Sequence, residues 1–319
     1  MQRLQLFNEW REEYLQRTYL RHDSDEQLLQ RQADLMDNIL TIDANGGVII
    51  DESEQFRRLL AHVHAEFEFR KMRLPAGYRQ KTYSHHSRAA ELWGRGLPEN
   101  RYLLKFGEFK YMDPMFRQGR IRVANAKSYD DPSLNPAIQD CEVKFTEECY
   151  GTTVYAPPNS PYAVNGQRTR METIGNVRRV AKSSTDYYVA CFGMKYDYRL
   201  FDDFSRGGQE PYDSCLVIRN PQAFIDRMRE CGEAKLPGWD FNESPVTYRD
   251  PHHPVRGPGP VDVFFTKHFR YAWQREFLDW PGYRRVRATG WNRSSSSWGR
   301  SAITANFFLS DRVCIDLRC

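Results

Sequence analysis

Apolar residues recur at helical spacing through the first part of the chain. Leu4, Phe7, Trp10 and Tyr14 fall on one side of a 3.6-residue period, and Leu28, Leu35 and Ile39, flanked by Leu29, Met36 and Leu40, repeat the pattern. Asp23, Ser24 and Asp25 lie between the two stretches and offer capping side chains. Asn45, Gly46 and Gly47 break the periodicity, and Val48 to Ile50 follow as a short strand or a packed connector. A third helix is predicted over 51–72, with Phe56, Leu59, Leu60, Val63 and Phe67 along one side. Pro75, Ala76 and Gly77 end it, and 78–100 is a polar, basic stretch that reads as a linker or a short helix.

Past Arg101 the period shifts towards strands. Residues 102–106 and 121–125 read as strands around a short helix over 112–119, and Asp130, Asp131 and Pro132 mark a turn. Residues 187–192 and 215–218 read as buried strands, 221–231 as a helix with Pro221 in its first turn, and 261–265 alternates as a strand. Two irregular stretches, 156–166 and 251–260, are long enough to be lids over a site. The pattern therefore predicts an α+β protein: a helical N-terminal module over 1–95, then an α+β domain over 96–319.

Composition adds modest constraints. With 319 residues, 40% hydrophobic and 28% charged, the chain buries a sizeable core. Aromatic residues reach 14%, enough to supply stacking surfaces as well as core. A net charge of +4 permits an anionic partner without demanding one. No apolar run has the length of a membrane span, and the amphipathic start lacks the segment of a secretory signal, so no membrane partner and a cytoplasmic location are expected. The seven cysteines include no C-x-x-C pair, which argues against a disulfide framework or a cysteine-rich zinc site. His62 and His64 diverge on a helix, and His85, His86, His252 and His253 lack partners at ligand spacing, so no metal site is expected.

Candidate chemistry gathers in 264–277. If 274–278 is extended, Gln274 and Glu276 share a face beside aromatic residues. A carboxylate there can hold a ribose hydroxyl and stabilise positive charge at an anomeric carbon, while the amide orients an incoming nucleophile. The same spacing also fits a solvated strand face with Glu276 paired to Arg275 or Arg270. Further on, Arg284, Arg285, Arg287, Trp291, Arg293 and Trp298 interleave cations with indoles, a pattern suited to nucleic acid and equally to a strand with a basic face.

The Gln274-x-Glu276 spacing resembles the signature of ADP-ribosyltransferases, in which the glutamate contacts the ribose and the residue two places earlier helps select the acceptor. By that resemblance Glu276 is the catalytic residue and Gln274 the acceptor-orienting one. From Arg101 to Arg285 the order of elements resembles a large uncharacterised bacterial family. The carriers are the opening strand with Lys105, the short helix before Gly119, the Asp130-Asp131-Pro132 turn, the Ala190-Cys191-Phe192 strand, and the late Trp273 and Glu276. The same opening is similar to that of DarT-type DNA ADP-ribosyltransferase toxins, with Lys105 where a histidine often stands and Asp130 where an asparagine is expected. The resemblance implies a split-sheet domain, a toxin or anti-phage defence role, and NAD as substrate. Lys105 and Arg122 would then meet the pyrophosphate, Tyr129 or Tyr271 would stack on nicotinamide, and Asp131 would hold a ribose hydroxyl. The plainer readings are strand-surface charges, a core aromatic and a turn former. Acceptors would be nucleic acid or protein, and the N-terminal helices would bind a partner or regulate the domain. Two other functions stay open: a non-catalytic nucleic-acid-binding module, and a metal-dependent nuclease built on Asp130, Asp131 and Glu142. The transferase reading requires Glu276 to face a cleft shared with Lys105 or Tyr129.

Overall fold

The structure is a computed structural model, and it describes residues 2–42, 48–50, 53–73, 101–135, 137–140, 143–149, 154–156, 161, 164–167, 169–171, 177–183, 186–197, 199–205, 212–252, 261–284 and 312–316. Helices α1 (Gln2–Arg17), α2 (Asp25–Ile39) and α3 (Glu54–Arg70) form the N-terminal part, and the strands β1 (Leu40–Ile42) and β2 (Val48–Ile50) pair antiparallel between the last two helices. The start of α2 follows from its sequence: Ser24 accepts from the Gln27 amide while Gln27 reaches back to the Ser24 amide, a reciprocal cap. Tyr14, Leu20, Leu28, Leu35, Val63 and Phe67 bury the apolar stripes of the three helices against one another.

The second part opens with β3 (Leu103–Gly107), α4 (Phe109–Gln118) and β4 (Arg120–Asn125), as the alternation predicts. Gly119 ends α4 with φ 66°, a left-handed conformation that glycine adopts without a Cβ penalty. A 3-10 turn, Ala126–Asp130, carries the chain onward. Two hairpins follow, in which β5 (Lys144–Cys149) pairs with β8 (Val177–Lys182) and β6 (Val154–Ala156) pairs with β7 (Thr169–Met171). Then come β9 (Tyr188–Gly193), α5 (Arg199–Phe204), β10 (Ser214–Ile218), α6 (Pro221–Lys235), β11 (Trp239–Pro245) and β12 (Thr247–Arg249), with β13 (Thr266–His268), β14 (Glu276–Arg284) and β15 (Arg312–Asp316) after them.

The main sheet runs β10-β3-β9-β14-β11, with β4 joined to β9 and β15 to β4. Its centre is β9, which serves two partners in turn. Tyr188 and Val189 pair with Asn125 and Ala124 of β4, whereas Gly193 pairs with Leu104 of β3. Between these contacts Ala190, Cys191 and Phe192 pair with β14 alone among the described strands. The sheet therefore opens beside β9. On one face α6 places Ile225, Met228 and Cys231 against Leu103, Ile121, Val123 and Phe192. Elsewhere Leu104 and Phe106 pack with Tyr196, Leu200 and Phe201 around α5.

The protein is thus α+β, and two strand expectations are corrected. Residues 263–265 form a 3-10 turn, because the Asp262 carboxylate accepts from the Phe264 amide and its carbonyl from the Phe265 amide. Gln274 is not in a strand either. It ends the 3-10 segment Phe269–Gln274, Arg275 adopts φ 47° and ψ 61°, and the strand begins only at Glu276. The expected division near residue 95 falls outside the described residues, yet the parts on either side of it are joined by buried contacts. The Arg31 guanidinium is paired through both nitrogens with the Asp250 carboxylate, Asn38 Nδ2 donates to the Phe269 carbonyl at 3.0 Å, and Arg199 Nη1 donates to the carbonyls of Asp37 and Leu40. Phe269 belongs to the core of the N-terminal helices.

Candidate functional site

Where the sheet opens beside β9 lies a pocket with about 690 Å³ of empty space, open on one side. Its walls carry Leu104, Phe106, Phe192, Leu200 and Phe204, the rings of Tyr129, Tyr212 and Tyr271, and the polar groups of Lys105, Asp140, Lys267, Gln274 and Glu276. An apolar slot with a few convergent polar groups is the usual form of a ligand site.

Glu276 is placed by a turn rather than by a continuous strand. Arg275 in the left-handed region reverses the chain for one residue, so that Gln274 and Glu276 are both buried and Arg275 is exposed. The two side chains therefore meet at the pocket, as an extended chain would have arranged by a different route. Three local hydrogen bonds fix the turn: Met194 N–H donates to the Arg275 carbonyl at 2.7 Å, Arg275 N–H to Ala272 at 3.2 Å, and Val246 N–H to Glu276 at 3.0 Å.

The carboxylate of Glu276 is held from two directions. Lys267 Nζ lies 3.0 Å from Oε2, and the Tyr248 hydroxyl donates to the same oxygen at 3.3 Å while accepting from the Glu276 amide at 2.8 Å. Burial, and next the nearby Glu276 charge, push the Tyr248 hydroxyl pKa well above its usual value, so Tyr248 remains a neutral donor. Lys267 also approaches Asp140, at 3.7 Å, and is only 6% exposed. Lys267 thus bridges two carboxylates, and with Lys105 in the same lining the pocket carries two lysines and two acids. Gln274 Nε2 donates to the Ala137 carbonyl at 2.9 Å, and the Tyr271 hydroxyl donates to the Gln139 carbonyl. Together these bonds fasten 137–140 to the segment that leads into Glu276. Burial, then Asp140, raise the Tyr271 hydroxyl to about 12.

Lys105 reaches from β3 across the opening and donates to the Cys191 carbonyl at 2.8 Å, with its ammonium 5.4 Å from the centre of the Phe192 ring. Burial lowers its pKa, partly offset by Cys191 and Glu276 and reinforced by the charges of Arg122 and Lys267. Lys105 thus places its amino group inside the pocket, bonded there to a backbone carbonyl.

The expected residues divide plainly. Glu276, Gln274, Lys105, Tyr129 and Tyr271 line one pocket, and Glu276 faces a cleft shared with both Lys105 and Tyr129. Arg122 is exposed on β4 outside the pocket lining, though near enough for its charge to lower the pKa values of Lys105 and Tyr212. Asp131 is exposed too and accepts from the Ser133 amide at 2.9 Å. That is the turn-forming role, and Asp131 is not among the residues lining the pocket. Asp130 is exposed and Glu142 lies outside the described residues. Among the described residues no group of three or more His, Cys, Asp or Glu has the arrangement of a metal centre. Arg284 ends β14, and Arg285, Arg287, Trp291, Arg293 and Trp298 lie outside the described residues. No described helix is long and apolar enough to cross a membrane.

Lys267, Tyr248 and Asp140 escaped the sequence reading. No spacing announces them: Tyr248 is 28 residues from Glu276, and Asp140 arrives on an irregular segment. Compared with family models, with curated proteins and with solved structures, the chain matches none.

Proposed function

We propose that the chain is an ADP-ribosyltransferase-like protein that binds NAD as substrate in the pocket beside β9 and passes ADP-ribose to a nucleic acid or a protein. The observation that carries this reading is the convergence of Glu276, Gln274, Lys105, Tyr129 and Tyr271 on one aromatic-walled pocket. In this reading the nicotinamide ring, cationic in NAD, sits between tyrosine rings beside the Glu276 and Asp140 carboxylates. Glu276 holds a ribose hydroxyl and stabilises the oxocarbenium-like charge as the glycosidic bond breaks, and nicotinamide leaves with the bonding pair. Lys267 and Tyr248 hold the Glu276 carboxylate in one orientation. Lys105 meets the pyrophosphate, and Arg122 at the rim attracts it.

Incubation with labelled NAD and a mixture of nucleic-acid and protein acceptors tests the reading. Wild type is expected to transfer label or release nicotinamide, and Glu276→Gln to lower that rate by about 100-fold or more at a temperature where circular dichroism shows the variant still folded, since losing the Lys267 partner lowers its thermal transition. Neither transfer nor hydrolysis by wild type, over a range of acceptors, overturns the proposal.

A further inference from the structure

The two lysines of the pocket are held in different ways. Lys267 lies between two carboxylates, 3.0 Å from Glu276 and 3.7 Å from Asp140, so its ammonium is paired. Among the described residues no carboxylate pairs with Lys105, whose Nζ donates to the Cys191 carbonyl at 2.8 Å. Lys105 lies deep beneath the surface yet keeps some exposed area, and it lines the pocket, so its amine is reached through the pocket. The rings of Phe106, Phe192 and Tyr212 share that lining, with the Phe192 ring centre 5.4 Å from Nζ. An ammonium in such a setting is poorly solvated, which favours the neutral amine.

Neighbouring charges act in both directions. Burial is the largest influence and lowers the Lys105 pKa, Cys191 and Glu276 oppose it, and the charges of Arg122 and Lys267 add to it. The Glu276 carboxylate is in any case engaged by Lys267 and Tyr248. An amine desolvated in an apolar pocket near other cations is the usual form of a nucleophilic lysine. Its lone pair needs an electrophile that the pocket admits. Walls built from Phe106, Phe192, Tyr129 and Tyr212 fit a planar ring. An aldehyde on such a ring meets the amine without a leaving group to expel.

We infer that Lys105 is an imine-forming site for small aromatic aldehydes, which enter the pocket beside β9 and lay their ring against its aromatic wall. The Lys105 nitrogen attacks the carbonyl carbon, and one N–H proton passes to the carbonyl oxygen. The hydroxyl of the resulting carbinolamine then leaves as water with the second N–H proton. Amine and aldehyde thus give imine and water, with nothing oxidised or reduced. Burial, then Glu108, raise the Tyr212 pKa, so its hydroxyl stays protonated and is a proton donor in the same lining. The site needs no NAD. In the function proposed above Lys105 meets a pyrophosphate, whose charge favours the ammonium, so the imine belongs to the pocket before NAD enters.

The test treats the full chain, without NAD, with benzaldehyde and cyanoborohydride, which reduces an imine to a stable benzylamine, and maps the labelled lysines by peptide mass. At neutral pH Lys105 is expected to be labelled at least about tenfold faster than Lys144 and Lys182, which are exposed on the β5–β8 hairpin. The ratio is expected to rise as pH falls from about 9 to about 7, because a lowered pKa keeps more of the Lys105 amine neutral. Lys105→Arg keeps a cation and loses the nucleophile, and it is expected to leave only the surface labelling. The wild-type map stands whether or not that variant folds. Labelling of Lys105 no faster than of Lys144 and Lys182 overturns the inference, as does preferential labelling of Lys267 or a ratio that stays flat across pH. Labelling of Lys105 that excess NAD does not slow supports the imine site and removes NAD from this pocket, so it sinks the transferase reading alone. NAD turnover without selective labelling sinks the imine site alone.

Discussion

At the scale of single residues, Glu276 is the most closely held carboxylate of the pocket, and its surroundings decide how it behaves. Its carboxylate and its amide both bond to one phenol, so Tyr248 fixes the side chain relative to its own backbone. Tyr248→Phe removes both bonds in a buried place, and a loss of about 1–3 kcal/mol in urea denaturation is expected. On the proposed chemistry the same change lowers kcat more than it raises KM, because a misdirected carboxylate costs most where charge develops. A raised KM with unchanged kcat would assign Tyr248 to binding alone. Glu276 and Gln274 were legible in the sequence because two polar residues in an aromatic setting invite a chemical explanation. Their partners were not, since a hydrogen bond across 28 residues leaves no trace in local spacing. Asp131 shows the reverse: a residue that fits the chemistry by type is used by its own turn, at the Ser133 amide.

At the scale of elements, the sequence spoke clearly where one period ran uninterrupted. The helices α2 and α6, and the strands β3, β4 and β9, fall within a few residues of their expected places. The segments around the site did not speak clearly, because short 3-10 turns depend on single side-chain caps rather than on periodicity. Asp262 caps one such turn, and His268 caps the next by accepting from the Arg270 amide through Nδ1 at 3.1 Å. That bond requires a ring nitrogen without a proton. Burial, then Arg270, lower the His268 pKa from 6.5 to about 3, with Arg31 and His252 adding to the effect and Asp250 opposing it. The folded pKa lies below the unfolded one, so the unfolded chain takes up the proton first as pH falls. Stability from this group is therefore complete above about pH 6.5 and is lost progressively towards pH 3. His268→Asn keeps an acceptor at the cap and is expected to reduce the fall in melting temperature between pH 7 and pH 5. Identical slopes in variant and wild type would remove His268 from the acid response. The turn itself rests on Arg275 at φ 47°. Arg275→Gly is expected to preserve or slightly raise stability, whereas Arg275→Val costs about 1–2 kcal/mol and moves Glu276 from the pocket wall. Urea denaturation of both variants distinguishes this from a role for the guanidinium.

At the scale of the whole molecule, the helical part and the sheet part work as one frame around the site. The sequence suggested two modules because the hydrophobic period changes between them, and periodicity is blind to contacts made across the boundary. Those contacts are polar and buried. Arg31 of α2 is 5% exposed and Asp250 2%, and the Arg31 guanidinium also lies 5.0 Å from the Phe269 ring centre. Phe269 begins the segment that carries Tyr271 and Gln274, and Asn38 of α2 bonds its carbonyl. The N-terminal helices therefore hold the backbone from which Tyr271 and Gln274 project into the pocket wall. Burial alone would raise the Asp250 pKa, but the Arg31 charge overrides it and holds the carboxyl down at about 2. Arg31→Met leaves that carboxylate buried without its cation, and a loss of about 3–5 kcal/mol is expected in urea denaturation. Arg31→Met/Asp250→Leu removes both charges together, so much of that stability should return. Ligand binding gives the second readout. With the pair replaced by packed apolar side chains, the fold returns but the guanidinium over the Phe269 ring, at the start of the 269–274 segment, is gone. On the proposed function, the double variant is therefore expected to regain stability more fully than it regains NAD turnover. A double variant that recovers both equally would mean that the ion pair serves stability only, and that the pocket wall is held by the sheet without help from the helices.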